Sequence, residues 1–95
     1  MKLFLEYQRG FCKLSSVKND RTLLCHFYDY LASTFSAKTI YKKHLTQLSK
    51  NHLYNYIVFI NHKKLTPYSR VNYFLVVKKY LAWEAEQGTI DENLL

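Results

Sequence analysis

One proline and two glycines are all that this 95-residue chain offers for tight turns. That is too few for a β-sandwich or barrel of short strands, and it leaves a single domain built from helices. Long hydrophobic runs are missing too. The best of them, Leu53–Ile60, is broken by Asn55 and bracketed by Lys50 and Lys63, well short of the ~18 apolar residues that a membrane span needs. At the amino terminus Leu3-Phe4-Leu5 stops at Glu6 with no small-residue cleavage site behind it, which is not a signal-peptide pattern. Cysteine is scarce. Cys12 and Cys25 are separated by 12 residues, whereas a secreted disulfide scaffold of this size usually carries about four or more, so a reducing cytosol is expected. Neither has a close C-x-x-C partner, so a zinc site made from Cys25, His26 and one of His44, His52 or His62 is disfavoured, and core filling is the simpler role.

Negative charge is the most telling shortage. Between Asp29 and Glu84 there is no acidic residue, while that stretch holds Lys38, Lys42, Lys43, Lys50, Lys63, Lys64, Arg70, Lys78 and Lys79 and three of the four histidines. Four of the seven acids follow it, at Glu84, Glu86, Asp91 and Glu92, and the net charge is +7. Surfaces that serve solubility alone mix both signs. A single-sign stretch interleaved with Tyr, Asn, Ser and Thr suits phosphate, with cations to meet the charge and neutral donors to fix position. Acidic lipid would ask for a basic amphipathic helix or a tight lysine cluster, and here the cations are spread over several elements. Nucleic acid is the expected partner, with no membrane and no small-molecule ligand.

With 48% hydrophobic residues the chain has enough apolar material for a core. Phe4, Tyr7, Phe11 and Leu14 mark a first helix over 2–13, with Gly10 inside it. Asn19 or Asp20 can cap a second helix that carries Leu24, Phe27, Tyr28, Leu31 and Phe35, with Thr22, His26, Asp29 and Ser33 opposite. Residues 36–48 read as a basic connector with a turn of helix around Lys38–Lys43, and Lys42 and Lys43 there are candidates for phosphate. Ser49 caps a third helix over 50–61, buried through Leu53, Tyr56, Ile57 and Ile60. Thr66-Pro67 starts a fourth, which Gly88 ends. At about 100° per residue, Val71, Phe74, Leu75, Val77, Lys78, Leu81, Ala82 and Ala85 gather on a core side. Ser69, Asn72, Val76, Lys79 and Trp83 fall on the other, flanked by Tyr73 and Tyr80. The second stripe suits a major groove, with Ser and Asn bonding base edges or phosphates and Val meeting a thymine methyl.

The elements follow one another in a distinctive order. Thr22 precedes Phe27-Tyr28-Asp29-Tyr30-Leu31. Leu48-Ser49-Lys50-Asn51-His52-Leu53 leads to Leu65-Thr66-Pro67-Tyr68-Ser69. Phe74-Leu75-Val76-Val77-Lys78-Lys79-Tyr80-Leu81-Ala82-Trp83 ends in Gly88-Thr89-Ile90-Asp91-Glu92-Asn93. This order resembles the N-terminal core-binding domain of tyrosine recombinases, the phage integrase and Xer-like family, over residues 2–93. Leu94 stands where the family usually has proline.

The resemblance implies an all-α, four-helix SAM-like bundle over residues 1–93, with 94–95 beginning a linker to a catalytic domain. Such a bundle forms half of a clamp on double-stranded DNA, in a cytoplasmic protein encoded by a bacterium or phage. It implies DNA contacts from Lys18, Arg21, Thr22 and His26 on helix two, and from Tyr68, Ser69, Arg70, Asn72, Tyr73, Val76 and Lys79 on helix four. Partners would be the catalytic domain of the same parent chain and further recombinase protomers on DNA. No cofactor or metal is implied. The family's attacking tyrosine and its arginines and histidines belong to the catalytic domain. No Arg…His-x-x-Arg…Tyr series occurs in this chain, so it is not expected to cleave DNA.

Two other readings fit the same residues. A free-standing helical regulator could use His62–Thr66 as the turn of a helix-turn-helix, although its recognition helix of about 20 residues would be long against the typical 11–12. A protein-interaction module could use Val76 and Trp83, with the positive charge incidental.

Overall fold

A computed structural model describes residues 2–10 and 12–91 of the chain. Phe11 in the first helical pattern, and Glu92, Asn93, Leu94 and Leu95 at the end of the family-like motif, lie outside the described residues. The described residues form five helices and no strand: α1 (Lys2–Arg9), α2 (Leu14–Thr34), α3 (Lys42–Leu45), α4 (Lys50–Asn61) and α5 (Pro67–Glu86). None is long and apolar enough to cross a membrane.

The termini of the later helices follow their capping chemistry. Ser49 accepts from the His52 backbone N–H at 3.4 Å, and the Ser49 N–H donates back to His52 Nδ1 at 2.9 Å, so two otherwise orphaned donors find partners. Thr66 accepts from the Ser69 N–H at 3.2 Å, and Pro67 occupies the first turn, where its missing N–H costs nothing. Gly88 takes φ +78° just past α5, a left-handed conformation that suits a residue without a Cβ.

The first half departs from expectation. α1 stops at Arg9, and the Gly10 N–H closes a turn onto the Tyr7 carbonyl at 3.2 Å. α2 starts five residues before Asn19, with Lys13 as its N-cap. Asn19 and Asp20 therefore stand inside the helix, and Asp20 caps nothing. Its buried carboxylate accepts from Gln8 Nε2 at 2.8 Å and from Lys79 Nζ at 2.6 Å. The connector holds one short helix, at Lys42–Leu45, anchored by the buried Leu45.

The core lies where α2, α4 and α5 meet, with α1 against α2 and α5. Leu24, Phe27 and Leu31 of α2 are fully buried, each contributing roughly 2 kcal/mol through transfer from water. Phe27 meets the edge of Tyr56 at 4.9 Å, and Phe4 meets the edge of Tyr80 at 5.2 Å.

α5 is turned relative to its expected orientation. Val76, Val77, Tyr80, Leu81 and Glu84 are its buried residues, whereas Val71, Phe74, Leu75 and Lys78 are exposed. Apolar residues occur around the whole circumference of this helix, so periodicity alone does not select a face. The polar partners do, because Lys79 reaches Asp20 and Tyr80 reaches Tyr28 and Glu84.

Lys79→Met keeps the aliphatic stem but leaves Asp20 with Gln8 as its only donor among the described side chains. A loss of about 1–3 kcal/mol is expected, read as a lower urea midpoint at unchanged slope.

Candidate nucleic-acid interface

Lys18, Thr22 and His26 follow one another at i, i+4 and i+8 on α2, a spacing that stacks side chains along one flank. Lys18, Arg21 and Thr22 are exposed, and the Thr22 hydroxyl donates to the Lys18 carbonyl at 3.2 Å. His26 is half-buried and brings three helices together. Its ring lies 4.9 Å from Tyr73 of α5 in an edge-on contact and 5.8 Å from Phe59 of α4 in a stacked one. His26 Nδ1 and the Tyr56 hydroxyl share a 3.0 Å hydrogen bond. Lys63 Nζ sits 5.0 Å from the centre of the Phe59 ring, within cation–π range. The result is a patch of half-exposed rings edged by a cation.

Electrostatics at this patch disfavour protonation of the imidazole. Burial lowers the His26 pKa from its ordinary 6.5, the Lys63 ammonium lowers it further, and Asp29 partly opposes them. Burial, with a smaller contribution from Tyr73, pushes the Tyr56 phenol well above its ordinary value. Tyr80 is driven up still more strongly by burial, with Tyr28 and Glu84 adding to it. These phenols hold their protons, so they serve as hydrogen-bonding groups at neutral pH.

The remaining candidates divide by what they touch. Tyr68 is the most open, at 77% exposure. Ser69 is half-buried, and its hydroxyl accepts from Thr66 at 3.1 Å within the N-cap. Arg70 is also half-buried, and its Nε donates to the Leu65 carbonyl at 3.3 Å, so one donor is committed to the start of α5. Asn72 and Tyr73 are half-buried on the next turn.

One expectation needs correction, and two candidates stand apart from the His26–Tyr73 patch. Val76 is 6% exposed and packs into the core, so it cannot present a methyl to a base. Lys79 is half exposed and paired with the buried Asp20 carboxylate, so its charge is met in part from within the chain. Lys42 shares a cleft with Tyr28 and Trp83, and Tyr28 lies about 200° around α2 from His26. That puts Lys42 on another flank from the His26–Tyr73 patch. Lys43, on the same short helix, is exposed.

Phe59 and Lys63 escaped the sequence reading. The available signal was that Phe59 falls outside the Leu53–Tyr56–Ile57–Ile60 stripe, which leaves an aromatic ring on the open side of α4. Trp83 is half-buried, tilted against Phe4 at 5.6 Å, and so does not form an exposed patch with Val76. The exposed apolar face is instead Val71, Phe74 and Leu75 with Tyr54. Beside it runs a groove of about 340 Å³ between α4 and α5, flanked by Lys50 and Lys78. Among the described residues, no group of three His, Cys, Asp or Glu side chains is placed to hold a metal ion. No protein-family model, curated protein or solved structure matches this chain.

A native-state pKa below 6.5 means that folded His26 binds fewer protons than the unfolded chain just below that pH. Its contribution to stability is therefore present above the unfolded value and lost as pH falls towards the native one. NMR titration of the His26 ring should give a midpoint under 6.5, and Lys63→Ala should move that midpoint up.

Proposed function

We propose that this chain is the DNA-binding, core-binding domain of a site-specific tyrosine recombinase or integrase. It would clamp duplex DNA at a recombination site during integration or excision of a mobile element. In this reading the helices form a SAM-like bundle, with α1, α2, α4 and α5 as its four principal members and α3 as a turn within the connector.

One observation carries the DNA-binding part. Among the described residues the single ion pair is Lys79–Asp20, so the other cations of the acid-free stretch are left uncompensated by direct pairing. A fold that leaves so many like charges unpaired gains when a polyanion neutralises them and releases its counterions. The His26–Tyr73 contact supports the same reading, because it joins one residue from each helix that the family resemblance assigns to DNA. Thr22, Asn72 and Ser69 supply neutral polar groups along those two helices for positioning or base contact.

Phosphoryl transfer would belong to a catalytic domain outside this sequence, which together with other protomers on the duplex would be the chain's protein partners. The buried phenols agree with that division. Tyr56 and Tyr80 have pKa values moved upward by burial, away from what an attacking phenolate requires. A second reading, a protein-contact module, has the exposed Val71, Phe74 and Leu75 face in its favour.

Titration of a fluorescent duplex at two salt concentrations separates the two. The test pairs the end sequence of the encoding genetic element with a scrambled control. Recombinase-type binding is expected to prefer the end sequence and to weaken by about 0.9 log units per log unit of salt for each phosphate engaged. Lys18→Ala and Arg21→Ala should each shallow that slope by about one unit. Asn72→Ala should reduce the preference between the two duplexes. Absence of binding at low salt would overturn the proposal and turn attention to the Val71–Phe74–Leu75 face.

A further inference from the structure

A second cleft lies between α1, α3 and the carboxyl-terminal half of α5, on a different flank from His26. It encloses about 390 Å³, within the range of small-molecule sites. Four aromatic side chains line it, Tyr28, Tyr41, Tyr80 and Trp83, and Glu84 is beside them. Glu84 is only 4% exposed, and its hydrogen-bond donor is the Tyr80 hydroxyl, 3.0 Å from Oε2. Tyr80 in turn shares a 2.5 Å hydrogen bond with the Tyr28 hydroxyl. Among the described residues this buried carboxyl group, facing a cleft, has one neutral side-chain donor and no cation paired to it, an unusual arrangement, because buried acids are ordinarily matched by a cation or by several donors.

We infer that this cleft is a binding site for a small organic ammonium ion, held among the rings of Tyr28, Tyr41 and Trp83 and by the carboxylate of Glu84, with Tyr80 buried behind them. Ring faces carry a negative quadrupole and attract cations, more strongly once water is excluded. Glu84 supplies the acidic counter-group at the base of the cleft, and the hydrogen bonds through Tyr80 to Tyr28 hold it in place. The position along the helix adds to this. Glu84 and Gln87 stand at the carboxyl end of α5, where unsatisfied carbonyls make the field negative, and Glu86 and Asp91 are exposed nearby in sequence. Leu3, Ile40 and Leu45 complete the walls and suit the alkyl part of such a ligand. Lys42 is the one opposing feature. It stands at the cleft, exposed, and its charge competes with the ligand. The site is independent of the DNA-binding reading, and either can fail without the other.

Trp83 is the sole tryptophan, so its emission reports on this cleft directly. The probes are choline, n-butylammonium and 3,3-dimethylbutan-1-ol, the last being the uncharged isostere of choline. The two cations should shift Trp83 emission saturably, and the alcohol should bind far more weakly. Glu84→Gln should weaken cation binding by about tenfold or more, and Lys42→Ala should strengthen it. Tyr41→Ala removes an exposed ring at no expense to the core. It should lower affinity with the melting temperature unchanged, and so serves if Glu84→Gln does not fold. Equal binding of choline and its isostere would overturn the inference, as would affinity unchanged in folded Glu84→Gln or in Tyr41→Ala, or no saturable response to either cation.

Discussion

The buried carboxylate of Asp20 organises the arrangement of α1, α2 and α5. It lies on α2, accepts from Gln8 of α1 and accepts from Lys79 of α5, so three helices meet on one acceptor. A carboxylate taken out of water must find such donors or destabilise the fold, which restricts how these helices can slide or turn against one another. The arrangement has its own strain: among the described residues Gln8 Oε1 is buried with no hydrogen-bond partner, while the amide N–H of the same side chain is directed at Asp20. That unsatisfied carbonyl costs on the order of 1–3 kcal/mol, and the charged contact between Lys79 and Asp20 helps to offset it.

From this contact follows the orientation of α5. Once Lys79 faces Asp20, Val76 and Tyr80 turn towards the core and Val71, Leu75 and Lys78 turn outwards. Tyr80 then occupies the position between Phe4, Tyr28 and Glu84, where its hydroxyl joins two polar groups and its ring fills the core. The opposite rotation would have buried Phe74 and Leu75 more deeply but would have left Asp20 without its cation. Local polar satisfaction decides between two helix faces of similar apolar content.

This explains what could and could not be read from the residues. The boundaries of α4 and α5 were legible because Ser49, Thr66, Pro67 and Gly88 act locally: each sets the backbone within one turn of itself. The buried stripe of α2 was legible because Leu24, Phe27 and Leu31 have polar residues around them. The face of α5 was not, since its apolar residues encircle it and the deciding contact, Asp20 with Lys79, spans 59 positions. Asp20 itself misled as an N-cap candidate for the same reason, because a carboxylate near a helix start has the same local signature whether it caps or pairs across the fold. Within the candidate interface, Thr22 and His26 followed from helical spacing. The α4 stripe leaves Phe59 on the open side, but the meeting of Phe59 and Lys63 with His26 depends on α4 packing beside α2, which no local pattern carries.

The placement of charge along α5 draws these features into one account. Its amino-terminal half comes from the stretch without acids and carries Ser69, Arg70, Asn72 and Tyr73, while its carboxyl-terminal end carries Glu84 and Glu86. The helix field has the same sense, positive at Pro67 and negative at Glu86. Fixed charges and backbone dipoles therefore add at both ends. The field is thus positive where α5 begins, beside His26 and Lys63, and negative where it finishes, beside Trp83. Lys79 lies between these regions, and its pairing with Asp20 removes one positive charge from the side facing the acidic end. The ion pair that sets the rotation of the helix thus also sharpens the separation of its two chemical environments.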